Sequence, residues 1–147
     1  MNASRTLLTG PCLALLALAF TACSPQPSAI DYGKDACHFC SMAIVEKQYG
    51  AEMVTQRGKV YKYDSIECLL GDLKRRDPDT IAMELVNTYD TPILLQEASG
   101  RVYLISEALP SPMGANLSAF DTEATATRVH QEKGGTLYDW KGIKDLF

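Results

Sequence analysis

Beyond residue 22 the sequence has no apolar run approaching the roughly 18 residues that a membrane-spanning helix needs. Any membrane attachment is therefore expected through the N-terminus. Positive charge is also scarce: Arg5 is the only charged residue of positions 1–22, leaving 13 basic against 18 acidic residues and a net charge near −5 in the rest of the chain. That balance argues against a nucleic-acid partner. No nucleophile–base pair and no acid–base pair of carboxylates stands out, so the scattered acids read as surface and an enzyme is not expected. Length excludes a second large domain, because the 125 residues from Cys23 onward suit one domain that buries about two-thirds of its surface.

The first residues have the form of an export signal. Arg5 supplies a positive end and Leu13–Phe20 an apolar stretch too short to span a bilayer. The signal closes on Phe20-Thr21-Ala22-Cys23, which resembles the bacterial lipobox, with Phe20 where leucine is usual. The resemblance implies cleavage after residue 22 and acylation of Cys23, and more than one acyl chain gives stable anchoring. Ser24-Pro25-Gln26-Pro27-Ser28 then reads as a semi-extended tether. The expected organisation is a signal over 1–22, a lipidated tether over 23–29 and one domain over 30–147.

Cysteine is the residue whose count constrains the chemistry. Of five, Cys12 leaves with the signal and Cys23 is expected to be acylated, so Cys37, Cys40 and Cys68 remain. In an oxidising compartment an odd set implies one disulfide with a leftover thiol, or a metal that keeps the thiols from pairing. Two of the three fall in Cys37-His38-Phe39-Cys40-Ser41-Met42, which gathers two thiols, an imidazole and a thioether into six residues. Thiolate with thioether favours Cu(I), whereas a thioether adds little to zinc binding.

Apolar alternation of Cys40, Met42 and Ile44 predicts a strand, with Cys40 and Met42 about 6.7 Å apart on one face. Residues 51–55 and 59–63 predict a hairpin turning at Gly58. Asp64, with Glu67 three residues on, predicts a helix N-cap, and Ile66, Leu69, Leu70 and Leu73 form one stripe. Cys68 falls about 160° to 200° from that stripe. Ile81, Met83 and Leu85 predict a further strand. The order β-β-α-β recurs in strands over 101–105 and 116–120, a helix from Asp121 to about Lys133 stopped by Gly134-Gly135, and a last strand over 136–140. The expected fold is α+β, with two small β-β-α-β units, over about 37–90 and 91–147, sharing one domain.

The residues alone leave several chemistries open. A thiol–disulfide oxidoreductase using Cys37 and Cys40 would place the first cysteine at a helix N-terminus, but here the pair leads into the predicted strand. A structural disulfide between Cys37 and Cys40, or zinc held by Cys37, Cys40, Cys68 and a histidine, are further readings. His38 reads as a solvated loop residue, and His130 near a helix end is a weaker ligand candidate. Met113, between Pro112 and Gly114, sits on a constrained loop with little local core to fill.

Taken together, the lipobox cysteine, Cys37-x-x-Cys40-x-Met42, Val60-Tyr-Lys-Tyr-Asp64 leading to Cys68, Ser111-Pro-Met-Gly114 followed by Ala119-Phe120, and Gly134-Gly135 resemble the NosL family of nitrous oxide reductase accessory lipoproteins. The resemblance spans nearly the whole mature chain. It implies a Cu(I)-binding chaperone in the bacterial envelope, lipid-anchored and facing the periplasm, in the outer rather than the inner membrane. The implied acceptor is nitrous oxide reductase, with an ABC-type copper-centre assembly complex as a possible associate. The implied ligand set is Cys37, Cys40, Met42 and Met113, and the implied fold is similar to the repeated unit of organomercurial lyase. Tyr63 stands where the family commonly has phenylalanine.

Overall fold

A computed structural model describes residues 24–147; the expected signal and the acylated Cys23 lie outside the described residues. The first unit comprises β1 (Ala51–Thr55), β2 (Val60–Tyr63), α1 (Ile66–Leu73) and β3 (Ile81–Val86). After the short strand β4 (Gln96–Glu97) come β5 (Val102–Ile105), β6 (Leu117–Phe120), α2 (Glu123–Lys133) and β7 (Thr136–Tyr138), and α3 (Trp140–Leu146) ends the chain.

Sheet order reveals the duplication that the element order suggested. The first sheet runs β2-β1-β3-β4 and the second β6-β5-β7, with every pairing antiparallel. In each unit the first strand is central, flanked by its hairpin partner and by the strand that follows the helix. The α1 stripe behaves as its spacing requires, with Ile66, Leu69 and Leu70 buried and Leu73 half-buried. They join a core that crosses both units, from Ile44, Met53 and Tyr63 to Tyr103, Leu117, Trp140 and Ile143. A smaller core under α2 contains Leu104, Leu109, Phe120, Ala126 and Val129. The shared core makes the two units one packed body, and both cores consist of residues from Ile30 onward.

Four local expectations are corrected. Residues 40–44 form no strand, because the segment turns back on itself: Cys37 N–H donates to Met42 O at 2.8 Å, Ser41 N–H to Cys37 O at 2.9 Å, and only Ala36 and Ala43 pair across it. Ser41 takes the left-handed backbone, φ 65°, that this reversal needs. The helix caps fall one residue later than predicted. Ser65 caps α1 by accepting from Cys68 N–H at 3.2 Å, and Thr122 caps α2 by accepting from Thr125 N–H at 3.2 Å. Hydroxyls do the capping, which leaves the preceding aspartates for other work: Asp121 pairs with Arg101, and Asp64 turns inward. Finally, the last strand ends at Tyr138, where Asp139 accepts from Gly142 N–H at 2.7 Å and starts α3. Trp140 belongs to that helix, and its indole N–H donates to Glu84 Oε2 at 2.6 Å, tying the second unit to the first sheet.

The first sheet has two distinct ends. One carries the β1–β2 turn, residues 56–59. The other carries Gly50, Asp64 and Asn87, where the loops 37–49 and 109–116 gather around the start of α1.

Candidate metal centre

The site is built at the N-terminal end of α1. The 37–42 turn is held against the sheet by His38 N–H donating to Lys62 O at 2.8 Å. The Phe39 ring lies over Gly71, leaving no room there for a side chain on the helix. This packing buries Cys37 and leaves Cys40 half-buried. Cys68, which the helix wheel set apart from the apolar stripe, is only 1% exposed because the folded-back loop covers it. Asp64 enters from the junction of β2 and α1.

One donor atom from each of Cys37, Cys40, Asp64 and Cys68 lies within 4.8 Å of all the others. All three cysteines are free thiols. Neither carboxylate oxygen of Asp64 has a nitrogen or oxygen hydrogen-bond partner, although both are buried. A buried carboxylate without such a partner is costly, and beside three thiols a cation would relieve that cost.

The thiols are electrostatically unequal. Cys68 donates toward Cys37 and holds the Cys37 pKa well below that of an ordinary thiol, against the opposing effect of burial. Cys68 is correspondingly pushed up, by its bond to Cys37, by burial and by Asp64. Burial raises Cys40 as well. The cluster is therefore poised to yield one thiolate readily and to resist the next ionisations until a cation compensates.

The methionines occupy the rim. Met42 is 50% and Met113 41% exposed. A hollow of about 140 Å³ is lined by Met42, Ala43, Val45, Glu46, Asp64 and Pro112, which sets the Met113 loop beside Met42 and Asp64. That loop is held by two bonds across the unit boundary, Ser111 Oγ to Glu67 Oε1 on α1 and Tyr49 O–H donating to Pro110 O at 2.9 Å, and by one within the second unit, where Ser111 Oγ accepts from Leu117 N–H at 3.3 Å.

The structure thus brings together Cys37 and Cys40, with Met42 and the Met113 loop at their edge. His38 is directed elsewhere: its ring packs on Tyr61 at 4.5 Å, with Nε2 3.3 Å from Arg76. His130 is in the second unit, against Gly135 O at 3.1 Å. Sequence reasoning missed Asp64 as a site residue because it assigned the carboxylate to capping; Ser65 next to it was the signal that another residue could cap. Cys68 was left open, and only the folded-back loop puts it in the cluster.

The NosL family profile matches residues 28–146. Among solved structures, the crystal structure of the copper chaperone NosL from Shewanella denitrificans superposes with a TM-score of 0.69 over 80% of this chain and 94% of that one. At 21% identity the likeness is one of fold. No curated protein matches the chain.

Proposed function

Because the chain belongs to the NosL family, we propose that it is a copper metallochaperone, a carrier and not a catalyst, whose cargo is Cu(I). The observation that carries this reading is the cluster of three thiols around Asp64, with Met42 and the loop that carries Met113 beside it. Thiolate and thioether donors suit Cu(I). Cargo would arrive at the exposed Met42 and Met113 and pass inward to Cys40 and Cys37, whose lowered pKa makes Cys37 the first thiolate. Each further thiol that binds releases a proton, so affinity rises with pH until the ligating thiols are ionised. Delivery reverses the path: an acceptor's donors displace the rim thioethers first, and the body need not unfold.

Acylation at Cys23 would hold the carrier on a bacterial envelope membrane, facing the periplasm, with the outer membrane the expected location. Nitrous oxide reductase would be the acceptor, with an ABC-type copper-centre assembly complex as a further partner.

The test is an anaerobic Cu(I) titration of the chain from Ser24, under reducing conditions and against a chromogenic Cu(I) chelator. We expect one tightly held ion, lost in a Cys40→Ser, Met42→Leu double variant. Unchanged stoichiometric binding in that variant would sink the assigned site. Zinc serves as the control metal, since Met42→Leu alone should weaken Cu(I) and leave zinc affinity in place. Transfer is then followed by copper content and activity after mixing the loaded chain with apo nitrous oxide reductase. Retention of copper by the chaperone would remove that acceptor while leaving the cargo intact.

A further inference from the structure

The end of the first sheet that carries the 56–59 turn differs from the rest of this acidic chain, although Arg75 and Arg76 reach back to Phe39 and His38 of the 37–42 turn. The 56–59 turn carries Arg57 and Lys59, and the residues after α1 bring Lys74, Arg75 and Arg76 to the same end. Asp77 and Asp79 also stand there, and Asp72 pairs with Arg76 at 2.8 Å, so the surplus is about two positive charges on a body near −5. The cations are held in place. The Tyr61 ring has the Lys59 ammonium 4.6 Å and the Arg76 guanidinium 4.0 Å from its centre. Arg57, Lys59, Tyr61, Arg76, Asp79 and Thr80 line a hollow of about 650 Å³.

The tether is docked against the first sheet. Ser28 N–H donates to Glu52 Oε1 at 3.0 Å, Lys62 Nζ donates to Ala29 O at 2.7 Å, and the Ile30 side chain packs where a side chain on Gly50 would lie. From Ser28 to Ile30 the chain therefore runs from the second residue of β1 back past its start, antiparallel to β1. Four residues separate Ser28 from Cys23, five steps along the chain and a reach of at most about 17 Å, comparable with the length of β1.

We propose that this basic end is the membrane-facing surface of the protein, its occupant the phosphate headgroups of anionic lipids, so that the Met42 and Met113 rim at the opposite end is presented away from the bilayer. The proposal rests on the acylation of Cys23. Acyl chains supply attachment and a basic face supplies orientation. A tyrosine framed by two cations has the amphipathic character of residues at a headgroup boundary. A short tether keeps the body close enough for the weak surplus of charge to act within a Debye length.

The deciding experiment uses the full lipidated chain, its acyl mass confirmed by mass spectrometry, in nanodiscs of phosphatidylethanolamine and phosphatidylglycerol doped with a gadolinium-chelating lipid. Amides of residues 56–59 and 74–80 should broaden several-fold more than those of 41–45 and 111–114, and Arg57→Glu with Lys59→Glu should erase the difference. Strongest broadening at 41–45 and 111–114, or equal broadening at both ends, overturns the proposal. In a second arm, the acyl-free chain from Ser24 should co-sediment with phosphatidylglycerol vesicles at low salt, lose them as salt rises, and ignore phosphatidylcholine. Chemical shifts at Tyr61 and Arg76 that move with inorganic phosphate but show no preference for anionic vesicles would mean a free-anion site and equally overturn it. A mass spectrum without acyl groups would refute the anchoring, whereas the vesicle arm still decides the basic face.

Discussion

The Cys68 thiol, in the first turn of α1, lies within 4.8 Å of the sulfur of Cys37, which the 37–42 turn folds back over the helix, and it lowers the Cys37 pKa while its own is raised. Cys68 thus sets the ionisation of its neighbour, and Cys68→Ala should raise the Cys37 pKa toward the ordinary thiol range. Thiolate absorbance in the ultraviolet, followed against pH in the metal-free reduced chain, measures this. The wild type should begin to ionise at lower pH than the variant. Superimposable curves would show that the bond between the two sulfurs has no electrostatic consequence.

Met42 and Met113 should contribute comparably to Cu(I), because both stand half-exposed at the rim. Replacing either by Leu should weaken Cu(I) by about tenfold, equivalent to about 1.4 kcal/mol. Replacing both should cost more than either alone without altering the thermal midpoint, since neither is a core residue. A Met113→Leu affinity equal to wild type would place the second unit's loop outside the site.

Ser111 and Glu67 link the two units beside the cluster. Ser111→Ala leaves Glu67 Oε1 buried without its partner, on a side chain whose Oε2 already has none. The expected cost is about 1–3 kcal/mol in denaturant unfolding. The more telling readout is a double-mutant cycle with Met113→Leu in Cu(I) affinity. Strict additivity would mean that Ser111 holds the fold without placing the methionine.

Gly71 is where the helix meets the metal loop. A β-carbon there would fall 2.7 Å from Phe39 Cζ, so Gly71→Ala must push the ring that packs the 37–42 turn against α1. Although alanine favours helix by about 1 kcal/mol, the displaced ring should turn this into a net loss of about 1–2 kcal/mol, within the range for overpacked sites. Cu(I) affinity should fall with it, because Phe39 lies between Cys37 and Cys40. Phe39→Leu in the same background should recover part of both losses.

Legibility from sequence followed the length of the periodic signal. The 51–63 hairpin and the α1 stripe rest on patterns long enough to be unambiguous, and both formed with nearly the expected bounds. Three alternating residues at 40–44 are too few to separate a strand from a reversal whose decisive feature is the backbone at Ser41. Asp64 and Asp121 each precede a hydroxyl residue that caps equally well, and nothing local decides between neighbours of similar capping power. The cluster was half legible for the same reason: Cys37 and Cys40 are near in sequence, whereas Cys68 and Asp64 join them only through tertiary folding of the loop onto α1.

Glu52 gives a pH dependence of stability with a defined sign. It is fully buried, Oε1 accepts from Ser28 N–H, Oε2 has no partner, and burial pushes its carboxyl from an ordinary 4.5 up to about 6. Between those values the folded chain holds more protons than the unfolded chain, so stability falls as pH rises. The contribution is complete below about pH 4.5 and lost as pH passes about 6. Its size is about 1–2 kcal/mol. Asp72 acts in the opposite sense at lower pH: burial alone would raise it, but Arg76 and Tyr63 hold it below the usual carboxylate value, so its stabilisation is lost on acidification. Glu52→Gln keeps an oxygen for Ser28 and removes the charge. In urea unfolding of the metal-free reduced chain, this variant should match wild type near pH 4.5, exceed it above pH 6, and show no slope between them. Wild-type stability that rises across this window while the variant stays flat would mean that Lys62, opposite Glu52 in the sheet, keeps the carboxylate ionised in the folded protein.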